Sequence, residues 1–449
     1  MIYSFYFDQM IEQMAGASWS CGKISVQVTD LAAQEVISGS MGSMLELDAD
    51  RKLVYFDLLS NKPPSMRICC AESGDLTEFI NPITREPGFA QVEISGLPQD
   101  AAPCQAQVVR LASGGFRMYF WLHDQKRKYA RYLTAESQDG LNFICRDLEK
   151  AILYHSADCA LSLQKDSKRL LSNDATFVLP VSEGFELYSV WLAANEERSG
   201  HFVPYDNAPR IRRIIHRRTT GDGLSWGDPE IVLWPDEEDP WDLQFYCLAQ
   251  YLLGPRRMGI IGRYAVEAQT IDLEFAFSAD GRIWDRPVRA DWLPKEEQFG
   301  YGSMLLPMGG LVGSGSVRSF LFAGFNHNHQ EAAQGKFKPG VICKGSFQQD
   351  KLVGVASLAG RQSQLRTNPF VLTREQLVLS GEVGGRLTAS LKDLHGKEIA
   401  SHLQTELVEL EPGRCVLGWE GMELAELMFG DVYRLELAFE DANLFGFEA

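Results

Sequence analysis

Apolar and polar residues alternate with a period of two along most of this chain. Between residues 271 and 277, for example, Ile271, Leu273, Phe275 and Phe277 occupy every second position. Similar runs at 116–121, 185–191 and 318–323 are bounded by Gly and Asp. This period is typical of antiparallel strands with one buried face, and helical periodicity is scarce. The sequence therefore predicts an all-β protein.

A turn motif recurs three times, at residues 137–143, 220–226 and 278–284. Each copy has a hydroxyl residue, then Asp-Gly, then an aromatic residue three positions after the Gly. Asp accepts backbone N–H groups across a tight bend, and Gly takes the positive φ that the bend needs. This is the chemistry of an Asp-box turn with Asp and Gly adjacent. A turn that recurs between strands indicates repeated sheet units, so we predict a β-propeller in which Asp139, Asp222 and Asp280 are structural.

The pattern of residues along the chain changes between Gln362 and Pro369. Aromatic strands and Asp-Gly turns precede this stretch, and regular short strands with Gly turns follow it. About eighty residues of such strands suit a small β-sandwich. We therefore predict a five-bladed propeller over residues 1–365 and a C-terminal β-sandwich over residues 366–449.

The net charge of the chain disfavours two classes of binding partner. The 449 residues carry a net charge of −17, which disfavours phosphate backbones and anionic lipid surfaces. The basic run at 210–218 alternates with β-branched residues, so we interpret it as a strand that lines a cleft or pairs locally. We expect neither a nucleic-acid partner nor a membrane partner.

Cysteine usage bears on the cellular compartment. The nine cysteines show neither metal-ligand spacing nor a paired framework. The first residues lack a basic stretch and a cleavage site, and no apolar run approaches the length of a membrane span. These features predict a soluble protein of the reducing cytoplasm.

Several segments resemble bacterial five-bladed propeller proteins related to the arabinanase, invertase and levansucrase superfamily. The resemblance is carried by 384–449, with Trp419-Glu420-Gly421 and the ending 441–447, and upstream by the three Asp-Gly turns, 242–246 and 352–358. It implies a propeller with a closing sandwich and a glycoside hydrolase activity. The chain departs from the family pattern between Ala15 and Ser43, where the family continues into a first blade rich in His-Pro and Asn-Pro.

Glycoside cleavage needs two carboxyl groups, and in a propeller they stand on inner strands of different blades. Asp242 and Asp206 are the leading candidates, because 241–246 alternates polar side chains on one strand face and 201–210 concentrates polar groups in a Pro-bounded loop. The other candidate carboxylates are Glu267, Asp174 and Asp8.

Sugar hydroxyls require further hydrogen-bonding side chains beside these carboxylates. We expect Arg210 or Arg263 to orient one of them. His327 and His329 could bind a metal if extended, but sugar contact or a polar loop fits better, so no metal or cofactor is predicted. The predicted substrate-binding residues are His201, Tyr205, Arg210, Gln244, Tyr246, Arg263 and His327.

Three functions remain open at this point. The first is a hydrolase of a small glycoside or oligosaccharide, with carbohydrate as its partner and homo-oligomerisation compatible with the sequence. The second is a carbohydrate-binding or assembly protein on the same scaffold, which the altered first blade favours. The third is a sialidase-like enzyme, because similar Asp-Gly turns occur there.

Overall fold

The computed structural model describes residues 2–31, 36–37, 41–59, 66–124, 129–154, 174–194, 211–374, 376–400, 406–418 and 430–449. The chain forms two compact units. The first contains Met1–Ser25, Ser314–Arg318 and Phe347–Ala449, and the second contains Val26–Gly313 and Ser319–Ser346.

The first unit begins with three short strands at the N-terminus. They are β1 (Ile2–Ser4), β2 (Ile11–Ala15) and β3 (Ala17–Cys21).

The second unit begins with β4 (Ile24–Val28) and continues as successive antiparallel meanders. The first meander contains β6 (Ser43–Asp48), β7 (Arg51–Leu59), β8 (Met66–Ser73) and β9 (Ala90–Gln91), after β5 (Val36–Ile37), which pairs with β7. The second contains β11 (Ala102–Arg110), β12 (Phe116–Asp124) and β13 (Tyr129–Ser137), with β10 (Glu93–Ser95), β14 (Asn142–Ile144) and β15 (Leu153–Tyr154) at its outer edge.

Three further meanders follow. The third contains β16 (Thr176–Val181), β17 (Gly184–Ala194), β18 (Ile211–Thr220) and β19 (Glu230–Leu233). The fourth contains β20 (Leu243–Leu253), β21 (Arg256–Ala265) and β22 (Thr270–Ser278). The fifth contains β23 (Met304–Ser314), β24 (Val317–Phe325) and β25 (Val341–Gln348), and β4 pairs with β25. Helix α1 (His329–Ala333) lies between β24 and β25, and 3-10 turns occupy Glu297–Phe299 and Gln349–Lys351.

The first strand of each meander lines one central cavity of about 250 Å³. Residues of β6, β11, β16, β20 and β23 all contribute to its wall, and we call these five strands the inner strands. Meanders whose first strands surround one axis form the blades of a propeller. The prediction of an all-β chain with a propeller is confirmed.

The remaining strands complete the first unit. They are β26 (Val353–Ser357), β27 (Ser363–Thr367), β28 (Phe370–Val371), β29 (Leu377–Val383), β30 (Leu387–Asp393), β31 (Glu398–Ala400), β32 (Glu406–Glu411), β33 (Arg414–Gly418), β34 (Val432–Phe439) and β35 (Ala442–Glu448). One sheet has the order β3-β26-β35-β29-β33-β32, and the other has the order β2-β27-β34-β30-β31. Alternating side chains of both sheets, among them Leu365, Leu379, Leu435 and Leu444, form a common apolar core. This is a β-sandwich.

The division of the chain differs from the predicted boundary at residue 366. The N-terminal strands pair with C-terminal ones: β1 with β35, β2 with β27, and β3 with β26. Phe5 and Met10 therefore belong to the sandwich core. The boundary was predicted from a local change in residue pattern. Such a pattern could not show that residues 1–25 pair with strands more than 300 positions away.

The three Asp-Gly turns have the predicted structure. In each, the carboxylate accepts two backbone N–H groups: Asp139 from Leu141 and Asn142, Asp222 from Leu224 and Ser225, and Asp280 from Arg282 and Ile283. The N–H groups of Ser225 and Leu224 hold the pKa of Asp222 well below its usual range. Trp284 is buried as expected, whereas Trp226 is half-buried.

A buried tyrosine of the preceding meander anchors each of these turns. Tyr55, Tyr119 and Tyr188 donate their hydroxyl hydrogens to the carbonyl oxygens of Gly140, Gly223 and Gly281, at 3.0, 3.0 and 2.9 Å. Each Gly has a positive φ and no Cβ, which lets the ring approach the turn. The repeated turn therefore also connects one meander to the next.

A buried ion cluster lies on the fourth meander. Arg286 donates two hydrogen bonds of 2.7 Å to Asp239 and two, of 2.5 and 2.9 Å, to Glu274. All three side chains are nearly inaccessible to solvent. Such a cluster stabilises the fold only while every charge keeps its partner.

Two further observations concern the described residues alone. None of their helices is long and apolar enough to cross a bilayer. The eight cysteines among them are free thiols.

Candidate functional site

A cluster of polar side chains lies where the inner strands of the third and fourth meanders begin. Asp174 lies two residues before β16, and Tyr246 lies near the start of β20. The Tyr246 hydroxyl donates to Asp174 Oδ2 at 3.2 Å. Both side chains are half-buried, so the pair combines a polar contact with partial access to solvent.

His329 connects the hydroxyls of two tyrosines. Its Nε2 lies 3.3 Å from the Tyr246 hydroxyl, and its Nδ1 lies 3.2 Å from the Tyr264 hydroxyl. His329 is the first residue of α1, and a capping box between Asn328 and Glu331 fixes the start of this helix. The helix start thus holds the His329 ring against both tyrosines.

Arg213 brings a positive charge to the same cluster. Its guanidinium carbon lies 4.9 Å from the ring centre of Tyr264 and 5.6 Å from that of Tyr246. Gln244 Oε1 accepts hydrogen bonds from Arg213 Nη1 at 2.9 Å and from the Arg213 backbone N–H at 3.1 Å. Aromatic faces and an amide oxygen therefore fix the cation on β18 beside the start of β20.

This environment changes the acidity of Asp174. Burial raises the pKa of the Asp174 carboxyl above its usual range, and the Arg213 charge and the Tyr246 hydroxyl offset only part of that effect. A raised pKa favours the protonated form of a carboxyl group, which is the form that can donate a proton.

A β-bulge interrupts the strand that was predicted to present Asp242, Gln244 and Tyr246 on one face, although Gln244 and Tyr246 both contact Arg213. The pairing of β20 with β21 shifts register between Phe245 and Cys247, so Tyr246 is the additional residue of a β-bulge. Gln244 faces Arg213, and Asp242 Oδ2 accepts the Glu267 backbone N–H at 2.9 Å.

Asp242 lies further toward the start of the fourth meander than the cluster does. Asp242 lies four positions before Tyr246, which corresponds to at most about 13 Å along the chain. Glu267 is exposed on the turn that follows β21. The structure therefore associates Asp242 with the Glu267 backbone.

Two predicted sugar-binding residues have structural partners instead. Arg263 forms ion pairs with Glu274 at 2.9 Å and with Asp291 at 2.6 Å, which compensates buried charge on the fourth meander. His327 is buried between aromatic rings, and its Nδ1 accepts the Lys338 backbone N–H at 3.2 Å. His329, not His327, contributes its imidazole to the cluster.

The other predicted residues lie elsewhere. Asp8 belongs to the first unit, where its Oδ2 accepts the Ser4 backbone N–H at 2.6 Å and closes a local turn. His201, Tyr205, Asp206 and Arg210 lie outside the described residues.

Sequence reasoning missed Arg213, Tyr264 and His329 as members of the cluster. Arg213 lies in a basic run that gave no sign of which arginine would face the site. Asn328 and Glu331 have the spacing of a capping box, so they could have predicted the helix that orients His329. No sequence pattern around Tyr264 marked it as a residue of the site.

The cluster offers a proton donor, hydroxyl and imidazole groups for hydrogen bonding, and aromatic faces. These are the groups that recognise sugar hydroxyls and sugar rings. Within the described part of the chain, no group of three or more His, Cys, Asp or Glu side chains is placed to hold a metal ion.

Comparison with known proteins identified similar structures but no sequence family. A scan against protein-family models found no match, and a search of curated proteins found none. An N-acetylgalactosamine deacetylase from F. plautii, solved with blood group B trisaccharide, is 12% identical with a TM-score of 0.49, covering 75% of this chain and 97% of that chain. A thermostable family-43 glycoside hydrolase is 10% identical with a TM-score of 0.49, covering 74% and 93%.

A third similar structure covers more of the chain. An arabinoxylan arabinofuranohydrolase of family 43 from Bacillus subtilis, solved with cellotetraose, is 10% identical with a TM-score of 0.46. The match covers 93% of this chain and 96% of that chain. At these identities and scores the function has to be argued from the residues of the site.

Proposed function

We propose that this protein is a glycoside hydrolase that acts on a small glycoside or oligosaccharide, with Asp174 as the general acid. The observation that carries the proposal is the half-buried Asp174 carboxyl, whose pKa is raised by burial and which accepts a hydrogen bond from Tyr246. A protonated carboxyl at the start of an inner strand can donate its proton to a leaving glycosidic oxygen.

Hydrolysis needs a second carboxyl group about 5 to 9.5 Å away, as base or nucleophile. We propose Asp206 for this role. The segment that carries it connects β17 to β18, and the flanking residues Ala194 and Ile211 are paired in register. Arg213, a member of the cluster, lies two residues beyond Ile211 on β18. Asp242 fits less well, because it lies four positions before Tyr246, at most about 13 Å along the chain.

Turnover of a panel of aryl glycosides tests this assignment. We expect Asp174→Asn and Asp206→Asn each to lower kcat at least about 100-fold, because each removes a proton-transferring or nucleophilic group without changing volume. Asp242→Asn is the matched control and should retain most of the activity. Loss of activity in Asp242→Asn with normal turnover in Asp174→Asn would contradict the assignment.

A second candidate is a carbohydrate-binding protein without catalysis. The observation in its favour is that the neighbouring inner strands carry Gln105 and Tyr246, which are not acids, at the positions that approach Asp174. In that case no glycoside is turned over by the wild type, while calorimetry detects oligosaccharide binding that Asp174→Asn weakens. Location in the cytoplasm and self-association stay predictions, and size-exclusion chromatography with light scattering tests the second.

A further inference from the structure

Two residues beside the site have an unusual backbone conformation. Gln105 on β11 and Ala175 just before β16 have φ values of 56° and 50°. Residues other than Gly rarely adopt this left-handed region, because it strains the backbone unless neighbouring contacts compensate. Ala175 directly follows Asp174, so its conformation sets the direction of the Asp174 side chain.

A chain of hydrogen bonds across three meanders holds this backbone. The Gln105 backbone N–H donates to the carboxyl group of Asp57, on β7, whose two oxygens lie 3.0 and 2.9 Å from the nitrogen. Gln105 Oε1 in turn accepts the Ala175 backbone N–H at 2.8 Å. The three residues are buried, with 1%, 8% and 0% of their surfaces exposed, so water does not replace these bonds easily.

The residue on the other side of Ala175 is fixed as well. The Thr176 hydroxyl donates to the Asp174 carbonyl oxygen at 3.1 Å, and it accepts the indole N–H of Trp121 at 3.1 Å. Two meanders therefore hold the peptides around Asp174, and its carboxyl group accepts the Tyr246 hydroxyl hydrogen.

We infer that Asp57 and Gln105 are positioning residues that place the Asp174 carboxyl for proton transfer. The inference rests on the proposed function. Neither residue contacts the substrate: Asp57 fixes Gln105, Gln105 fixes the Ala175 peptide, and that peptide fixes Asp174. A misplacement of about 1 Å at a reacting group is enough to lower the rate of an enzyme about 100-fold.

Substitutions at Gln105 and Gln107 test the first step. Gln105→Met removes the acceptor for the Ala175 N–H at nearly constant volume. Gln107→Met is the matched control, because Gln107 lies on the same strand, is equally buried, and donates instead to the carbonyl oxygens of Met41 and Gly42. We expect Gln105→Met to lower kcat about 10- to 100-fold with KM changed less than about 3-fold, and Gln107→Met to leave kcat within about 3-fold.

Substitutions at Asp57 test the second step. Asp57→Asn retains an acceptor oxygen for the Gln105 N–H and should retain kcat within about 3-fold. Asp57→Leu removes that acceptor and should reduce kcat as Gln105→Met does. If Asp57 acted through its charge instead, Asp57→Asn would lower kcat strongly. Such a loss would overturn this part of the inference.

Crystal structures of Gln105→Met and Gln107→Met separate the inference from the proposed function. We expect the oxygen–oxygen distance between Asp174 and Tyr246, 3.2 Å in the wild type, to lengthen beyond hydrogen-bonding range only in Gln105→Met. If the wild type turns over no glycoside, the proposed function fails, and this distance still tests the positioning. An unchanged distance and an unchanged kcat in Gln105→Met would overturn the inference.

Discussion

Asp57 should make the stability of the fold depend on pH in a direction opposite to that of most carboxyl groups. It lies in the apolar strand β7 with 1% of its surface exposed. Burial raises its pKa from 3.8 to about 8, and the hydrogen bond from the Gln105 backbone N–H offsets only part of that effect. The folded protein therefore keeps a proton on Asp57 at pH values where the unfolded chain has lost it.

The sign follows from proton linkage. Between pH 4 and pH 8 the folded state binds more protons at this group than the unfolded state does, so stability falls as pH rises through that window. With pKa values of 3.8 unfolded and about 8 folded, the loss between pH 5 and pH 8 is about 3 to 4 kcal/mol. Below pH 4 both states are protonated, and the contribution is constant.

Asp57→Asn should remove this dependence. Asn cannot ionise, yet its side-chain oxygen can still accept the Gln105 N–H. The free energy of unfolding of the variant relative to the wild type should therefore increase by about 3 to 4 kcal/mol between pH 5 and pH 8. Urea unfolding followed by the fluorescence of the buried Trp121 measures it at each pH.

Asp50→Asn is the control for this experiment. Asp50 is an exposed residue of the turn that connects β6 to β7, so its replacement should leave the pH dependence unchanged. Parallel stability curves for wild type and Asp57→Asn from pH 5 to pH 8 would show that Asp57 ionises normally in the fold, and the reasoning from burial would be refuted.

Four further substitutions test the packing of the second unit by chemical denaturation. Tyr119→Phe should lower the free energy of unfolding by about 1 to 2 kcal/mol because it leaves the buried Gly223 carbonyl without its donor. Tyr132→Phe should be neutral or stabilising, because the buried Tyr132 hydroxyl has no hydrogen-bond partner among the described residues; equal effects would contradict the assignment. Arg286→Met should cost about 3 to 5 kcal/mol because Asp239 and Glu274 each lose two hydrogen bonds from the same guanidinium, and Arg289 at 3.5 Å from Asp239 and Arg263 at 2.9 Å from Glu274 replace only part of that interaction; a cost below about 1 kcal/mol would show that the carboxylates are neutral or hydrated. Gln250→Met should raise the free energy of unfolding by about 1 kcal/mol, because the Gln250 amide lines the central cavity and forms no hydrogen bond with the described residues; a loss of stability would show that the amide is hydrogen-bonded in solution.

The features that the sequence predicted well are those that depend on neighbouring residues. In each repeated turn, the hydroxyl residue bonds to the Gly N–H and the Asp carboxylate accepts two N–H groups that follow the Gly. The seven residues of the motif therefore determine the turn. The same applies to the period-two alternation of the strands. Neither pattern contains information on distant pairing, which is why the N-terminal strands of the sandwich were assigned to the propeller.

The site was predicted only in part, because it depends on the register of strands from different meanders. Asp174, Gln244 and Tyr246 were each selected for their chemistry, but the bulge at Tyr246 that turns it toward Asp174 has no sequence marker. Asp57 did leave a signal. An acid within the apolar run Leu53 to Leu59 is costly to bury, and its presence there indicates a specific partner.

Register along the central axis also explains which carboxyl group can act with Asp174. Gln105 and Tyr246 are the inner-strand residues that bond to Asp174 or to its neighbouring peptide, so they mark its level on the second and fourth meanders. Neither is an acid, and Asp242 lies about four residues beyond that level. These two strands therefore carry no acid at the residues that contact Asp174 or its neighbouring peptide. This supports the proposal that the second carboxyl group is Asp206, because the segment that carries it joins β17 to β18 on the meander of Asp174 and Arg213.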